Sequence, residues 1–336
     1  MPDPRSLTCD DAGVGDRWRG FRAVGVLVGV LAATLITAPS GTATPADSVS
    51  MRPVSLTVDG ETATGRVYEP DGGARGLIVA VHGHDGSAAD FPEYLSSIVR
   101  ATGAALITMD QRSESSVWRT GEWNVWAGWR DTVAATQWYR GDHPGGPTIL
   151  WGWSQGGVTS GLAAAYAPPG TYDYWVDTFG HAGDVTAWLE ANLAGKSLRP
   201  EIERDAGNCT PFTCPQAYID RSPVLMANRI AVARAILLHG TADPLVPYSS
   251  SLEMRAALTL AGKPTSMYTI ATGRDLQGNI VPGDHGINPV FFESGCVVQR
   301  LLLDTEPLTG TPDYYIDAAT NTNTAPPAPP NAKCAA

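Results

Sequence analysis

The sequence predicts an α/β fold: a mostly parallel central sheet with helices on both faces and an antiparallel N-terminal hairpin. Short β-branched apolar runs, such as GLIVAVHG, TILWGWS and RAILLHG, alternate with longer segments of helical spacing, which is typical of a parallel sheet covered by helices. Before them, VSLTVDGETATGRVYEP contains Asp59-Gly60 between two strand-like runs, and this dipeptide is a strong hairpin signal. The hairpin supplies the first two strands, and the apolar runs supply six more.

The composition is that of a globular protein and argues against nucleic-acid binding. Of the 336 residues, 43% are hydrophobic and 17% are charged, which is enough apolar content to bury a sizeable core. The formal net charge is −11, whereas a surface that binds phosphates needs clustered Lys and Arg. We therefore expect no nucleic-acid partner.

An apolar segment near the N-terminus predicts export. Residues 23–38, AVGVLVGVLAATLITA, follow three arginines and precede the small-residue stretch PSGTATPADS, which is the order of a secretory signal peptide. We place cleavage after Ala43 or Ala46 and expect a secreted, extracellular chain with no stable membrane association after cleavage. The alternative is an uncleaved membrane anchor, but the run is shorter than the ~20 residues that span a bilayer.

Three regions follow from these patterns: a signal peptide over 1–46, a main domain over 47–304 and an extended tail over 305–336. Between the sixth and seventh strands, residues 184–228 interrupt the alternation and are rich in charge and proline. We interpret them as a small excursion over the rim of the sheet. The tail is rich in Thr, Asn, Ala and Pro, a composition that buries little surface.

The cysteines predict disulfides. Removal of the signal would take Cys9 away and leave an even number, which suits an oxidising compartment. Three pairings are possible; we favour Cys209 with Cys214, closing a small loop, and Cys296 with Cys334, tying down the tail. The alternative is a metal site, but paired CxxC units and flanking histidines are missing from the spacing, so we expect no metal.

A candidate nucleophile lies in the pentapeptide GWSQG over residues 152–156, which matches the G-x-S-x-G nucleophile elbow. The pattern needs glycines because the turn from strand to helix is strained and crowded. The match alone is weak, but the strand-like TILW precedes it and the helix-like GGVTSGLAAAY follows it. This setting favours Ser154 as the nucleophile, and the alternative is a serine with a purely structural role.

A serine nucleophile needs a base, and the base needs an acid that orients it. His285, in the glycine-flanked loop PGDHGI, follows the last apolar run and is our candidate base; His181 is the second choice. Asp243 follows the strand-like RAILLHG by a short turn and is the candidate acid, with Asp284 as the rival. The chain order Ser, Asp, His is the one expected for an elbow on such a sheet.

Two backbone N–H groups should stabilise the oxyanion of a tetrahedral intermediate. The residue after the nucleophile, Gln155, would supply one of them. The loop His82-Gly83-His84-Asp85-Gly86, after the first parallel strand, would supply the other, from His84. The alternative is an ordinary glycine-rich turn with no part in catalysis.

These motifs resemble the α/β-hydrolase superfamily over residues 54–303. Within it, the segment RSPVLMANRIAVARAILLHGTADPLVPYSSSLEMRAALTLAGK resembles the catalytic domain of the prolyl oligopeptidase family and its esterase-like relatives. The resemblance implies the same Ser-Asp-His set and no metal or organic cofactor. Two departures stand out: the preceding sequence is too short for the β-propeller of the large peptidases, and WGWSQGG also fits secreted esterases.

The sequence thus predicts a secreted serine hydrolase with residues 47–304 as its catalytic domain. We expect a carboxylic ester as substrate, with a short peptide as the alternative and a catalytically inactive binding module as a third possibility. Several tryptophans could line a cleft for an aromatic or acyl group, although their spacing favours a packed helix face. They are Trp118, Trp123, Trp126, Trp129 and Trp153.

Overall fold

The protein is represented by a computed structural model that describes residues 46–112, 122–190, 197–330 and 332–334. The strands of these residues are β1 (Val49–Val58), β2 (Glu61–Pro70), β3 (Leu77–Val81), β4 (Ala105–Met109), β5 (Thr148–Trp153), β6 (Tyr174–Thr178), β7 (Arg234–Gly240), β8 (Thr265–Arg274), β9 (Ile280–Pro282), β10 (Asp313–Asp317) and β11 (Thr322–Asn323). The α-helices are α1 (Pro92–Thr102), α2 (Val125–Asp142), α3 (Gln155–Tyr166), α4 (Asp184–Glu190), α5 (Arg199–Asp205), α6 (Pro215–Asp220), α7 (Tyr248–Leu260) and α8 (Phe292–Leu302).

One mixed sheet contains these strands in the order β1-β2-β4-β3-β5-β6-β7-β8-β10-β11, with β9 paired to β8. All neighbours from β4 to β10 along this order run parallel, while β1 and β2 form an antiparallel hairpin. Asp59 and Gly60 take the positive φ values, 53° and 84°, that a tight hairpin turn requires. The predicted α/β fold is confirmed.

Each face of the sheet packs against its own set of helices. Neighbouring residues such as Ile78 and Val79 are both buried but belong to different apolar clusters, because successive strand residues point to opposite faces. Helices α2, α3 and α7 cover the face of Val79, and α1 and α8 cover the other. Burial on both faces explains why the parallel strands appear in the sequence as continuous apolar runs.

The segment between β6 and β7 is the predicted excursion, and we keep that name for residues 183–230. It holds α4, α5, α6 and a short 3₁₀ helix over Pro223–Arg229. The structure pairs Cys209 with Cys214 here, with Cα atoms 6.1 Å apart. Polar contacts also hold the segment, such as Arg221 Nε with Asp205 Oδ2 at 3.1 Å.

The C-terminal segment differs from the extended tail that its composition predicts. Residues Asp313–Asp317 form β10, parallel to β8, and Ile316 is buried there. Cys334 is paired with Cys296, with Cα atoms 5.8 Å apart. The run DYYID contains β-favouring aromatic and branched residues, but the surrounding Thr, Asn and Pro hide that signal in an average over the whole segment.

The expected signal peptide lies outside the described residues, except for Ala46. The N–H group of Ala46 donates a hydrogen bond to the carbonyl oxygen of Arg100. Within the part of the chain that the structure describes, no helix is both long enough and apolar enough to cross a bilayer.

Candidate active site

Ser154 lies in a sharp turn between β5 and α3. Its backbone has φ 57° and ψ −126°, a strained conformation for a residue with a side chain, which projects the hydroxyl from the end of the sheet. A Cβ atom on Gly152 would clash with the carbonyl oxygen of Gly156, and one on Gly156 would clash with that of Val81. Close packing of the turn therefore requires both glycines of the pattern.

His285 connects Ser154 to Asp243. Its Nε2 is 2.8 Å from Ser154 Oγ, and its Nδ1 is 2.7 Å from Asp243 Oδ2. The side chain is 12% exposed and packs against the Phe179 ring, with ring centroids 4.4 Å apart. Because an ionised carboxylate can only accept hydrogen bonds, Nδ1 carries the hydrogen, and Nε2 is free to accept a proton from the serine.

The Asp243 side chain is fully buried just after β7. Its Oδ1 accepts hydrogen bonds from the N–H groups of Leu245 and Val246, at 2.8 and 2.9 Å. Burial raises the pKa of this carboxyl, but hydrogen bonds from His239, His285 and the backbone outweigh burial and hold the pKa well below its ordinary value. Asp243 is therefore ionised at neutral pH.

The rival residues make other contacts. The Nδ1 atom of His181 is 3.4 Å from Glu190 Oε2, in a buried position where desolvation lowers the pKa of the imidazole. Asp284 accepts a hydrogen bond from the N–H group of Gly286, at 2.8 Å. The structure therefore brings together Ser154, His285 and Asp243, as the sequence predicts, with neither rival in the chain of hydrogen bonds.

The two residues predicted to stabilise an oxyanion flank Ser154. Gln155 follows it directly as the first residue of α3. On the other side, a Cβ atom on Gly83 would lie 3.0 Å from the Cβ of Ser154, so the loop after β3 passes against the nucleophile. His84 is the next residue of that loop, and its Nε2 is 2.7 Å from Glu201 Oε2 of α5.

Comparisons with known proteins indicate the same fold class. Residues 127–275 match the model of the prolyl oligopeptidase family. No curated protein sequence gives a significant match. A puromycin-hydrolyzing peptidase of Mycobacterium tuberculosis is similar in structure, with 23% identity and a TM-score of 0.54 over 78% of this chain and 41% of its own.

Two further solved structures extend the likeness. An acylaminoacyl peptidase of Pyrococcus horikoshii has 16% identity and a TM-score of 0.57 over 71% of this chain and 38% of its own. The chain has the α/β-hydrolase fold. A cold-adapted esterase from an Arctic intertidal metagenomic library has 20% identity and a TM-score of 0.50, over 79% of this chain and 97% of its own.

These findings confirm the resemblance to the α/β-hydrolase superfamily and to the prolyl oligopeptidase family. This α/β-hydrolase chain spans about two fifths of the length of each of the two peptidases, 41% and 38% respectively. It spans nearly the whole of the esterase. At these identities, the likeness establishes the fold.

Three polar residues of the site were missed by sequence reasoning. Glu201 belongs to the excursion and carries no motif. Gln111 joins two elements of the α/β-hydrolase fold, since its Nε2 donates to the His82 carbonyl oxygen at 2.6 Å and its Oε1 accepts from Thr159 at 3.0 Å. Asp177, at the end of β6, is buried against the elbow helix, and burial raises its pKa to about 7. The one sequence signal for Gln111 and Asp177 is their location at the carboxyl ends of predicted strands, the edge at which the candidate site lies.

The described tryptophans near the site mainly serve packing. Trp123 and Trp153 are buried, and Trp129 stacks on Tyr166 with ring centroids 4.8 Å apart. This agrees with the packed helix face that their spacing favours. Trp118 lies outside the described residues.

A mostly apolar groove of about 980 Å³ runs along α1 and α8. Its lining includes Phe91 and Ile287. Ile287 follows His285 by two residues, and the Phe91 ring lies 6.4 Å from that of Trp153, the neighbour of Ser154. The groove therefore reaches the segment that carries His285, although neither His285 nor Ser154 belongs to its lining.

One cluster of possible metal ligands occurs in the described part of the chain: Glu293, Cys296 and Cys334. The two cysteines are paired with each other, and Glu293 Oε1 accepts a hydrogen bond from Arg300 at 3.0 Å. A metal would need free thiolates, so this cluster is a disulfide beside a buried ion pair.

Proposed function

We propose that this chain is a serine hydrolase that cleaves carboxylic esters through an acyl-enzyme on Ser154. One observation carries the proposal: Ser154 Oγ, the His285 ring and the Asp243 carboxylate form a continuous chain of hydrogen bonds, at 2.8 and 2.7 Å. These residues come from three separate connections, and their meeting at one edge of a sheet is the arrangement that activates a serine hydroxyl.

The chemistry follows from the tautomer of His285. As Ser154 Oγ attacks the ester carbonyl carbon, its proton passes to Nε2, and the buried carboxylate of Asp243 stabilises the imidazolium. The imidazolium then donates that proton to the departing alkoxide, leaving an acyl group on Ser154. A water molecule, deprotonated by the same nitrogen, hydrolyses the acyl-enzyme and restores the serine.

The negative charge on the tetrahedral carbonyl oxygen requires donors fixed beforehand. We assign this role to the backbone N–H groups of Gln155 and His84. Their support is position: Gln155 begins the elbow helix, and the loop of His84 passes against Ser154 through Gly83.

Two observations support an ester over a peptide. The chain matches an esterase over 97% of that protein, and the mostly apolar groove, whose lining includes Ile287 two residues after His285, suits an apolar acyl group. The second candidate is a peptidase that acts on short peptides. The match of residues 127–275 to the prolyl oligopeptidase family and the likeness to two peptidases support this candidate.

Fluorophosphonate labelling tests whether the chain is an enzyme or an inactive binding module. We expect the wild type to label and Ser154→Ala not to label, with ester turnover falling about 10⁶-fold, because the nucleophile is lost. Equal labelling of the two proteins would contradict the proposal. A panel of short p-nitrophenyl acyl esters and aminoacyl or dipeptidyl substrates separates the candidates, and turnover of the peptide substrates alone would favour the peptidase.

We propose that the protein acts after export. The apolar segment before residue 46 and the two cysteine pairs support this location, since disulfides persist in oxidising compartments. Expression of the full chain followed by N-terminal sequencing of the protein in the medium tests it. We expect a mature start at Thr44 or Asp47, and an uncleaved chain in the membrane fraction would contradict it.

A further inference from the structure

The excursion contacts the loop proposed to carry an oxyanion donor. Glu201 of α5 lies 117 residues from His84 in the sequence, yet its Oε2 accepts a hydrogen bond from His84 Nε2 at 2.7 Å. The same oxygen accepts a second hydrogen bond, at 3.0 Å, from the N–H group of Trp123. One carboxylate oxygen thus joins the β3 loop to the segment that precedes α2.

The other proposed donor residue is tied to the same segment. The Nε2 of Gln155 donates a hydrogen bond to the Glu122 carbonyl oxygen at 3.1 Å, and Glu122 is the neighbour of Trp123. We assign the backbone N–H groups of His84 and Gln155 to the oxyanion. The side chain of His84 is therefore linked through the Glu201 carboxylate to Trp123, and that of Gln155 is bonded to the adjacent Glu122.

The contact between Glu201 and His84 is partly shielded from water. The two side chains are 23% and 14% exposed, which leaves their hydrogen bond less screened than one at an open surface. Burial raises the pKa of Glu201, but hydrogen bonds and charge from His84 and the Trp123 N–H outweigh burial, so that the pKa is lowered overall. Glu201 is ionised at neutral pH and makes charge-assisted hydrogen bonds, which are stronger than neutral ones.

The loop that Glu201 contacts is rich in glycine. Gly83 directly precedes His84, Gly86 follows it by two residues, and Asp85 between them takes a positive φ of 59°. Glycines leave a backbone free to adopt many conformations, whereas an oxyanion donor must be fixed before the reaction begins. His82 is held by Gln111 at one end of the loop, and the His84 side chain is held by Glu201.

We propose that Glu201 is a positioning residue for the oxyanion hole, acting through the His84 side chain to fix the His84 backbone N–H beside Ser154. This inference rests on the proposed function. The excursion then contributes to the rate of the chemical step through Glu201, which acts by way of His84.

Replacement of Glu201 by Ala tests the proposal by steady-state kinetics on a p-nitrophenyl ester. Loss of a whole oxyanion donor costs about 10²–10³-fold in kcat, so a displaced one should cost about 10- to 100-fold, with KM within about twofold. Glu201→Gln should recover most of the rate, because its amide oxygen can accept from both His84 and Trp123.

Glu203→Ala is the matched control. Glu203 lies on the same helix and accepts a hydrogen bond from Trp188 Nε1 at 2.9 Å, so its loss loosens the excursion without releasing the His84 loop. We expect its kcat to stay within about threefold of wild type. His84→Ala, which keeps its backbone N–H, should repeat the Glu201→Ala loss, and the double variant should lose little more.

A Glu201→Ala kcat within about threefold of wild type overturns the proposal. So does a loss that Glu203→Ala reproduces, or one that Glu201→Gln does not relieve. If Glu201→Ala fails to fold, as judged by circular dichroism, the His84→Ala kinetics decide by the same criteria. Ester turnover that persists in the Ser154→Ala variant would instead refute the proposed function. Turnover that depends on Ser154 but does not change in Glu201→Ala would refute only the role of Glu201.

Discussion

The sheet edge and the excursion contribute to the site in different ways. At the edge, Ser154, Asp243 and His285 follow strands closely, and their side chains meet directly. The excursion supplies Glu201, which reaches the site through hydrogen bonds from the His84 side chain and the Trp123 N–H group. Strand ends therefore determine which groups meet, and the excursion influences how a neighbouring loop is held.

The two regions also differ in what stabilises them. The parallel strands are buried on both faces, whereas the excursion buries only some of its apolar side chains, such as Ile202 and Tyr218. It leaves Phe212 80% exposed and adds charged contacts such as that of Arg221 with Asp205. A surface segment of this kind tolerates change more readily than a buried strand. Substitutions at the edge should therefore cost orders of magnitude in rate, and those in the excursion should cost less.

Asp243→Asn probes the sheet edge and should cost more in rate than any variant of the excursion. The amide keeps the shape of the carboxyl but favours the wrong tautomer of His285, so kcat should fall about 10⁴-fold. Asp284→Asn makes the same change beside His285, at a carboxyl that bonds to Gly286 instead, and should stay within about threefold. Ester kinetics of the two variants check this, and equal losses would break the distinction between them.

Asp177→Asn measures how much a buried carboxyl at the sheet edge lowers the free energy of unfolding. Burial raises the pKa of Asp177 from 3.8 to about 7, so the folded state holds a proton that the unfolded state releases between these values. Its ionisation therefore opposes folding increasingly as pH rises from 4 to 7, and fully above 7. The variant should gain up to about 4 kcal/mol at pH 8 and less than about 1 kcal/mol at pH 4. Urea unfolding at both pH values checks this, and an equal change at both would contradict it.

Removing each disulfide in turn compares how much it stabilises the excursion and the C-terminal segment. Cys296 and Cys334 are 38 residues apart, and Cys209 and Cys214 are 5 apart. Loop-closure entropy then predicts that Cys334→Ser destabilises by about 4 kcal/mol and Cys214→Ser by about 2 kcal/mol. Denaturant unfolding of both variants gives the ranking, which would be wrong if Cys214→Ser proved the more destabilising.

The fold was predictable because its signals are local. Runs such as RAILLHG are apolar because they are buried on both faces of the sheet. The dipeptide Asp59-Gly60 favours the positive φ values that a tight hairpin turn requires. The candidate site followed from the fold, since Ser154 and Asp243 lie just beyond recognisable strands and His285 lies in the loop after the last of them. The glycine-flanked loop after the last predicted strand selected His285 over His181, and the order of the three residues along the chain agreed with that choice.

The contacts that depend on tertiary packing were not predictable. Nothing around Glu201 distinguishes it from Glu203, two residues later on the same short helix, until α5 is placed over the β3 loop. Asp177 looks like any polar residue at a strand end, and only its burial against Gly157 and Gly180 makes it unusual. Averaged composition similarly obscured the strand within residues 305–336.

The position of β10 has a consequence for the order in which the enzyme matures. Because Asp313–Asp317 pair with β8, the strand that leads to the His285 loop has neighbours on both sides only after this late segment has joined the sheet. A nascent chain still on the ribosome with residue 300 just emerging would already expose Ser154, Asp243 and His285 but would lack the pairing of β8 with β10. We expect proteolysis that removes the residues from 313 onward to abolish hydrolase activity, although Ser154, Asp243 and His285 remain in the chain.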